Sequence, residues 1–353
     1  MKVVLLGLEG DFSPKSGAGI QRYMFEIYSN MHKIDTNIEK IEFKKIKFLG
    51  NGLSFTTKAL FRNFDGYDIV HNLMPVPFFK TKIVRRNYKI ITTAHDFQII
   101  LYPEYTFDHG ATLKDKLWLD LIIKPGLKST LKSDYILADS SQTRDEAVKF
   151  GFDRNKIFVV NHGVDKRFMQ PVRAKKDADK FIVGYIGAIR KRKNLEFGIN
   201  AANAIKNKNI IFNIWGKKEF EYEYLVNISK NKNIDFKGFA PEEKIVDIYD
   251  SFNVFVFPSY HEGFGLPILE AQARGLPVII YKYGKIPKEV RKYCFEAESP
   301  EHMAQIIENL KENGYNEKLK KKATEYARSF TWEKCARETL EVYKKVLEKL
   351  KII

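Results

Sequence analysis

The sequence predicts an α/β protein made of two doubly wound parallel-sheet domains in tandem. Three observations carry this. The chain has 353 residues, enough for two domains at roughly 100–200 residues each. Short apolar runs alternate with longer amphipathic stretches through both halves. A polar stretch at 166–180 reads as a linker, and the apolar run from Phe181 to Gly187 then restarts the pattern.

Val3-Val4-Leu5-Leu6 reads as a buried strand. Residues 17–31 read as a helix, with Ile20, Tyr23, Met24 and Ile27 at helical spacing. Residues 68–71 and 89–94 read as strands, and 114–131 as a helix that Pro125 should kink or break. Strand 135–138 follows, then a helix capped by Ser140 or Ser141 and running through Phe150, then strand 157–160. In the second half, helices are expected at 195–206, 219–230, 242–250 and 266–274, with strands at 210–215, 234–237, 254–257 and 278–281. From Pro300 the chain reads as helical. It ends in an amphipathic helix at 332–350, capped by Thr331. Strands alternating with helices imply parallel sheets covered on both faces, with ligands bound beyond the carboxyl ends of the strands. Two such domains are expected to turn their loops toward a shared cleft.

Composition narrows the function classes. The chain is 44% hydrophobic and 14% aromatic, which excludes disorder and collagen-like structure. Two cysteines, Cys294 and Cys335, are too few for a disulfide framework and suit a reducing cytoplasm. The opening Met1-Lys2-Val3-Val4-Leu5-Leu6-Gly7 turns polar too soon for a signal peptide, and no run of about 18 uncharged apolar residues occurs. Lys and Arg number 60 against 44 Asp and Glu, a net charge of +16. The lysines are spread and interleaved with acids, without an arginine-rich tail or an RNA-binding aromatic motif, so nucleic acid is not an expected partner.

The segment from Phe257 to Ala271 carries the chemistry: Phe-Pro-Ser-Tyr-His-Glu-Gly-Phe-Gly-Leu-Pro-Ile-Leu-Glu-Ala. It follows a strand and opens a helix. Gly263 and Gly265 let backbone amides approach a ligand, and the helix start near Leu266 favours an anion. Pro267 in the first turn costs no hydrogen bond. Glu262 and Glu270 flank this anion site, and each carboxylate can accept bonds from a pair of sugar hydroxyls. A diphosphate on the amides with one acid for each sugar ring describes a nucleotide sugar.

This segment resembles the E-x7-E motif of the retaining family 4 glycosyltransferases, also called group 1 glycosyl transferases, which have the GT-B fold. Glu262 and Glu270 match its two glutamates. The resemblance extends to Val183-Gly184-Tyr185-Ile186-Gly187, to Arg192-Lys193-Asn194-Leu195, to Phe236-Lys237-Gly238-Phe239, to the run from Glu270 to Val278 and to Val160-Asn161-His162-Gly163-Val164-Asp165. It implies that Glu262 faces the transferred sugar and that Gly263, Phe264, Gly265 and Leu266 donate to that sugar or to the diphosphate. It gives Glu270 the ribose, Lys193 the leaving diphosphate, and Gly238 and Phe239 the region of the nucleotide base. Thr93-Ala94-His95-Asp96 matches a His-Asp pair, with His95 near the transferred sugar and Asp96 supporting it. Gly19, in Ser16-Gly17-Ala18-Gly19, matches a glycine-rich first loop.

Many members carry an arginine after the glycine matching Gly187. Here that residue is Ala188, and Arg190 and Arg192 are the candidates to replace it, with Arg192 favoured. The resemblance also implies that the last helix returns to the first domain. The expected domains are 1–165 plus 335–353 on the acceptor side and 166–334 on the donor side. Asp177-Ala178-Asp179 lies among linker charges and reads as solvated, no His/Cys group has zinc spacing, and no P-loop pattern occurs. Neither a metal nor a cofactor is expected.

The expected activity is transfer of a sugar, with retention, from a UDP- or GDP-sugar to a lipid-linked, polysaccharide or small-molecule acceptor in the cytoplasm. The alternatives are a nucleotide-sugar epimerase of the same architecture and a non-catalytic sugar-nucleotide or lipid-surface binding subunit. Lys44, Lys45, Lys47, Lys58 and Arg62, interleaved with Phe43, Phe48, Leu53, Phe55 and Phe61, suit peripheral contact with anionic lipid.

Overall fold

The computed structural model describes residues 1–8, 10–13, 19–43, 64–73, 87–106, 112–130, 132–172, 179–219 and 221–348. Residues 16–18, 177–178, 350 and the basic and aromatic set from Lys44 to Arg62 lie outside the described residues. The chain forms two units, Met1–Leu101 with Thr112–Gly163 and Thr331–Ile353, and Tyr102–Ala111 with Val164–Phe330.

The first unit holds a parallel sheet in the order β2-β1-β3-β4-β5-β6. Its strands are β1 (Val3–Leu8), β2 (Ile38–Phe43), β3 (Ile69–Asn72), β4 (Lys89–Ala94), β5 (Tyr135–Ala138) and β6 (Ile157–Val159). Val3 through Leu6 are fully buried, as befits a strand covered on both faces. Helix α1 (Gly19–Ile34) buries Tyr23, Met24, Ile27 and Met31. Helix α2 (Ser141–Lys149) starts at Ser140, whose hydroxyl accepts the Thr143 amide. The C-terminal helix Trp332–Glu348 packs against α1 in this unit.

Two elements differ from expectation here. β2 is an edge strand with a half-exposed, charged sequence, Ile-Glu-Lys-Ile-Glu-Phe, and gives no apolar run to read. Pro125 does not break its helix. The chain widens into a π turn at Leu119–Ile123 and resumes as Lys124–Thr130. The wider turn accommodates the proline ring, which a regular α turn would press against the carbonyl of Leu121.

The second unit holds a parallel sheet in the order β12-β11-β10-β7-β8-β9. Its strands are β7 (Phe181–Ile186), β8 (Ile210–Trp215), β9 (Ile234–Gly238), β10 (Val254–Phe257), β11 (Val278–Tyr281) and β12 (Phe295–Ala297). Helices α3 (Leu195–Ala204) and α4 (Leu266–Ala273) follow β7 and β10. Close backbone packing needs glycine at Gly184, where a Cβ would meet the Phe252 ring at 2.1 Å. Arg274, almost fully buried, pairs with Asp250 at 2.6 Å and donates to the carbonyl oxygens of Phe168 and Gln170. It thereby ties the chain entering this unit to its core. The strand order runs outward in both directions from the β7/β10 pair, so that pair is the switch point of the sheet.

Candidate active site

The site in the second unit is assembled at that switch point. The loop after β7 ends in a short turn, Lys191–Lys193, followed by Asn194 in the left-handed region at φ 51°. Asparagine tolerates this conformation, and its side chain donates to Pro258 O at 3.0 Å. The loop after β10 is held on both sides. Tyr260 N donates to Arg192 O at 2.9 Å, Glu262 N to Lys285 O at 2.9 Å, and Lys285 N to Tyr260 O at 2.7 Å.

These bonds bring Lys193, Arg192 and Glu262 together across 69 residues of chain. Lys193 Nζ lies 2.7 Å from Glu262 Oε1, and Arg192 Nη1 lies 3.3 Å from Oε2. Arg192 Nη1 also donates to His261 O at 2.9 Å, and the Lys193 ammonium sits 4.9 Å from the centre of the Phe257 ring. Burial alone would raise the Glu262 pKa. The charges of Lys193 and Arg192 outweigh it and bring the carboxyl down to about 2. Arg190 turns elsewhere and pairs with Glu219 at 2.5 Å, so Arg192 is the arginine that meets Glu262.

The loop then enters α4 through Gly265, whose φ of 102° is open to glycine and strained for other residues. Gly263 and Phe264 are buried beside it, and Phe264 packs on Phe330. Leu266 and Pro267 form the first turn of α4, at the positive end of the helix dipole. Glu270 lies one turn further, buried, and accepts the Tyr249 hydroxyl at 3.0 Å on Oε2. Tyr249 escaped the sequence analysis because it carries no motif. Gly238 ends β9 with φ 76°, and Phe239 beside it is 59% exposed with Lys217 Nζ 5.7 Å from its ring centre.

In the first unit, His95, Asp139 and His162 follow β4, β5 and β6 and converge. One ligand-capable atom from each lies within 4.8 Å of the others, and all three residues are buried. His95 Nε2 lies 2.9 Å from Leu73 O, and its Nδ1 lies 3.8 Å from Asp139 Oδ2. His162 stacks between Tyr23 and Trp332, with ring centres 4.7 and 5.6 Å away. Beneath them runs a hydrogen-bonded chain. Tyr343 meets His71 Nδ1 at 2.5 Å, His71 Nε2 meets Thr93 at 2.8 Å, and Thr93 meets Tyr23 at 2.9 Å. Burial, reinforced by the charge of His95, lowers the His71 pKa to about 3 and holds His162 well below the usual histidine range. Burial raises Asp139 to about 6 against the pull of His95. This donor set could hold a cation, although no linear spacing announced it. Asp96 accepts the Gln98 amide at 3.3 Å, and Gly19 is the exposed first residue of α1.

Two family models match the chain: "Glycosyltransferase Family 4" over residues 35–168 and "Glycosyl transferases group 1" over residues 167–330. Among curated relatives, O-antigen chain mannosyltransferase B of Escherichia coli is 25% identical over 72% of this chain and 70% of its own. A D-inositol 3-phosphate glycosyltransferase of Streptomyces bingchenggensis is 26% identical over 60% of this chain, and the match spans about half, 52%, of that relative. Among solved structures, a sucrose-phosphate synthase from Thermosynechococcus elongatus superposes with a TM-score of 0.75 at 19% identity, covering 99% of each chain. Anabaena HepE, solved with UDP and glucose, gives 0.66 at 15% identity over 98% of this chain and 99% of its own. These likenesses establish the two-sheet GT-B fold. Matched by the two models in succession from residue 35 to residue 330, the chain belongs to the group 1, family 4 glycosyltransferases.

Proposed function

We propose that the protein is a metal-independent, retaining glycosyltransferase that moves a sugar from a UDP- or GDP-sugar to a lipid-linked, polysaccharide or small-molecule acceptor. The observation that carries the reading is the Lys193–Glu262–Arg192 constellation beside the N-terminus of α4, at the switch point of the second sheet. Two cations and one carboxylate leave a net positive charge where a diphosphate would bind. Lys193 and Arg192 neutralise the charge that develops on the departing diphosphate, which lowers the barrier. Glu262 and the 263–266 backbone hold the sugar, Glu270 holds the ribose, and Phe239 with Gly238 serves the base. His95 keeps its place near the transferred sugar and Asp96 its supporting role, as the resemblance gives them, with the donor assigned to the second unit and the acceptor to the first.

In the transfer, the bond from the anomeric carbon to the diphosphate oxygen breaks. The acceptor oxygen bonds to that carbon on the same face, and its proton passes to the leaving phosphate oxygen. HepE, solved with UDP and glucose, and E. coli O-antigen chain mannosyltransferase B support a nucleotide-sugar donor and a glycan acceptor. A cytoplasmic location with peripheral contact to anionic lipid belongs to the same reading. Among the described residues, no helix is long and apolar enough to cross a membrane.

A panel of nucleotide sugars, read by thermal shift and by nucleotide release with and without acceptors, tests this. One donor should stabilise the protein and release nucleotide faster with acceptor, and NMR of the product should show the donor's anomeric configuration. Turnover of donor alone into an epimer, or binding without release under any acceptor, would replace the reading. An inverted product would overturn the stereochemistry.

A further inference from the structure

We propose that the helix over residues 113–130 docks the protein on an anionic lipid surface, with Leu113, Leu117 and Leu121 in the apolar layer and lysines at the headgroups. The proposal rests on the peripheral lipid contact read above and deepens it by giving that contact a place in the fold.

The argument starts from where the leucines of one helix go. The helix runs from Leu113 to Trp118, widens over Leu119–Ile123 and resumes as Lys124–Thr130. Leu119 and Leu127 are buried. They tie the helix to its unit, which is all the apolar surface that anchoring requires. Leu113, Leu117 and Leu121 are 73%, 50% and 68% exposed. Among the described residues, every exposed leucine lies on this helix, and no large hydrophobic side chain is more exposed than Leu113 and Leu121. A spacing of four residues sets the three in one row along the helix. A single exposed leucine is ordinary, whereas a contiguous row marks a surface that meets something other than water.

Charge selects the occupant. Lys116 and Lys128 are exposed and Lys124 partly so. Lys116 is three residues from Leu113, Lys124 three from Leu121, and Lys128 four from Lys124, so a lysine row borders the leucine row. Residues 113–130 hold four lysines and two aspartates, in a chain of net charge +16. One of the aspartates, Asp120, is already paired with Lys124 at 2.6 Å. A lysine stem lies along apolar surface while its ammonium reaches outward. An anionic bilayer offers the matching layers, phosphate at the height of the ammonium groups and hydrocarbon beneath for the leucines. A second copy of this chain would instead bring like charge against like. Among the described residues no helix is long and apolar enough to cross a membrane, so this one lies in the plane of the interface.

The test is co-sedimentation of the full chain with vesicles of equal parts phosphatidylcholine and phosphatidylglycerol, and with phosphatidylcholine alone, over a range of salt. The wild type should bind the mixed vesicles at least about tenfold better than the neutral ones. Leu113→Ser/Leu121→Ser should lose about tenfold at every salt concentration, because salt does not screen apolar insertion. Lys116→Gln/Lys128→Gln should lose binding chiefly at low salt and flatten the salt dependence. Leu113→Met/Leu121→Met keeps the apolar surface and should bind as the wild type does. The replaced side chains are exposed, so melting temperatures should not move. If the double serine variant melts early, Leu113→Gln alone makes the same comparison. Wild-type binding by the serine variant would overturn the proposal and leave peripheral lipid contact standing at another surface. No binding by the wild type at low salt would overturn both. A wild-type dimer in sedimentation velocity that the serine variant loses would give the row to a second copy and overturn the proposal as well. The vesicles contain neither donor nor acceptor sugar, so every outcome leaves the transferase reading to its own test.

Discussion

Lys193→Ala separates what the Lys193–Glu262 pair does for stability from what it does for turnover. The Glu262 carboxyl falls from 4.5 to about 2, a net stabilisation of about 3 kcal/mol at 1.36 kcal/mol per unit. Its folded pKa is depressed, so the contribution is present above about pH 4.5 and is lost as the pH falls toward about 2. Removing Lys193 takes the partner at 2.7 Å and leaves Arg192 at 3.3 Å. About half the stabilisation should go, roughly 1–2 kcal/mol. A cation placed for a leaving diphosphate does more in the transition state than in the ground state, and losing one such contact costs about 10²–10³ in turnover. Urea unfolding at pH 7 reads the first number, and steady-state kinetics with donor varied reads the second. Glu270→Ala should instead raise donor KM, because ribose bonds persist through the reaction, and Glu262→Ala should affect both parameters. Near wild-type kcat in both Lys193→Ala and Glu262→Ala would refute the reasoning.

Other outcomes follow from the packing. Gly163→Ala would set a methyl group 2.1 Å from Trp332 N. Backbone cannot yield there, so a thermal melt should show a loss of roughly 1–3 kcal/mol or more. Arg274→Met strands buried Asp250 and should cost about 3–5 kcal/mol in urea unfolding, with Arg274→Met/Asp250→Leu recovering part of it. Lowered to about 3 from 6.5, His71 contributes stability that is present above about pH 6.5 and fades as the pH falls toward about 3. The loss at pH 5 should be about 2 kcal/mol, and His71→Gln should flatten it. The protein should sediment with anionic vesicles at low ionic strength and detach in salt; no sedimentation even at low salt would favour a soluble acceptor.

The strands legible in the sequence are those that packing makes uniform. The run Val3 to Leu6 and the strands Lys89–Ala94 and Tyr135–Ala138 are covered on both faces, so apolarity alone marks them. β2 spends half its residues on charge because it lies at an edge, and β12 has three residues, too few for a pattern. The Glu262–Glu270 loop was legible because its parts are consecutive. Lys193 and Glu262 meet only because β7 and β10 are neighbours, and local pattern does not encode strand order. His95, Asp139 and His162 show the same limit from the other side. Each sits within three residues of a strand's carboxyl end, and β4, β5 and β6 are successive neighbours. The ends were readable; their adjacency was not.

Glu262 and Asp139 show how two equally buried carboxylates acquire opposite chemistry. Desolvation raises both. At Glu262 two cations reverse it, and the carboxyl drops to about 2. At Asp139 burial is opposed only by His95 and the Thr143 hydroxyl, the charge of Asp96 adds to the rise, and the carboxyl stays near 6. A carboxylate held at about 2 is a weak base, so Glu262 is suited to gripping hydroxyls and cations and not to taking the acceptor's proton. Asp139 has the better pKa for proton exchange near neutrality, but it is turned toward His95 and buried beneath it. In the proposed transfer, that division leaves the acceptor's proton to the leaving phosphate oxygen.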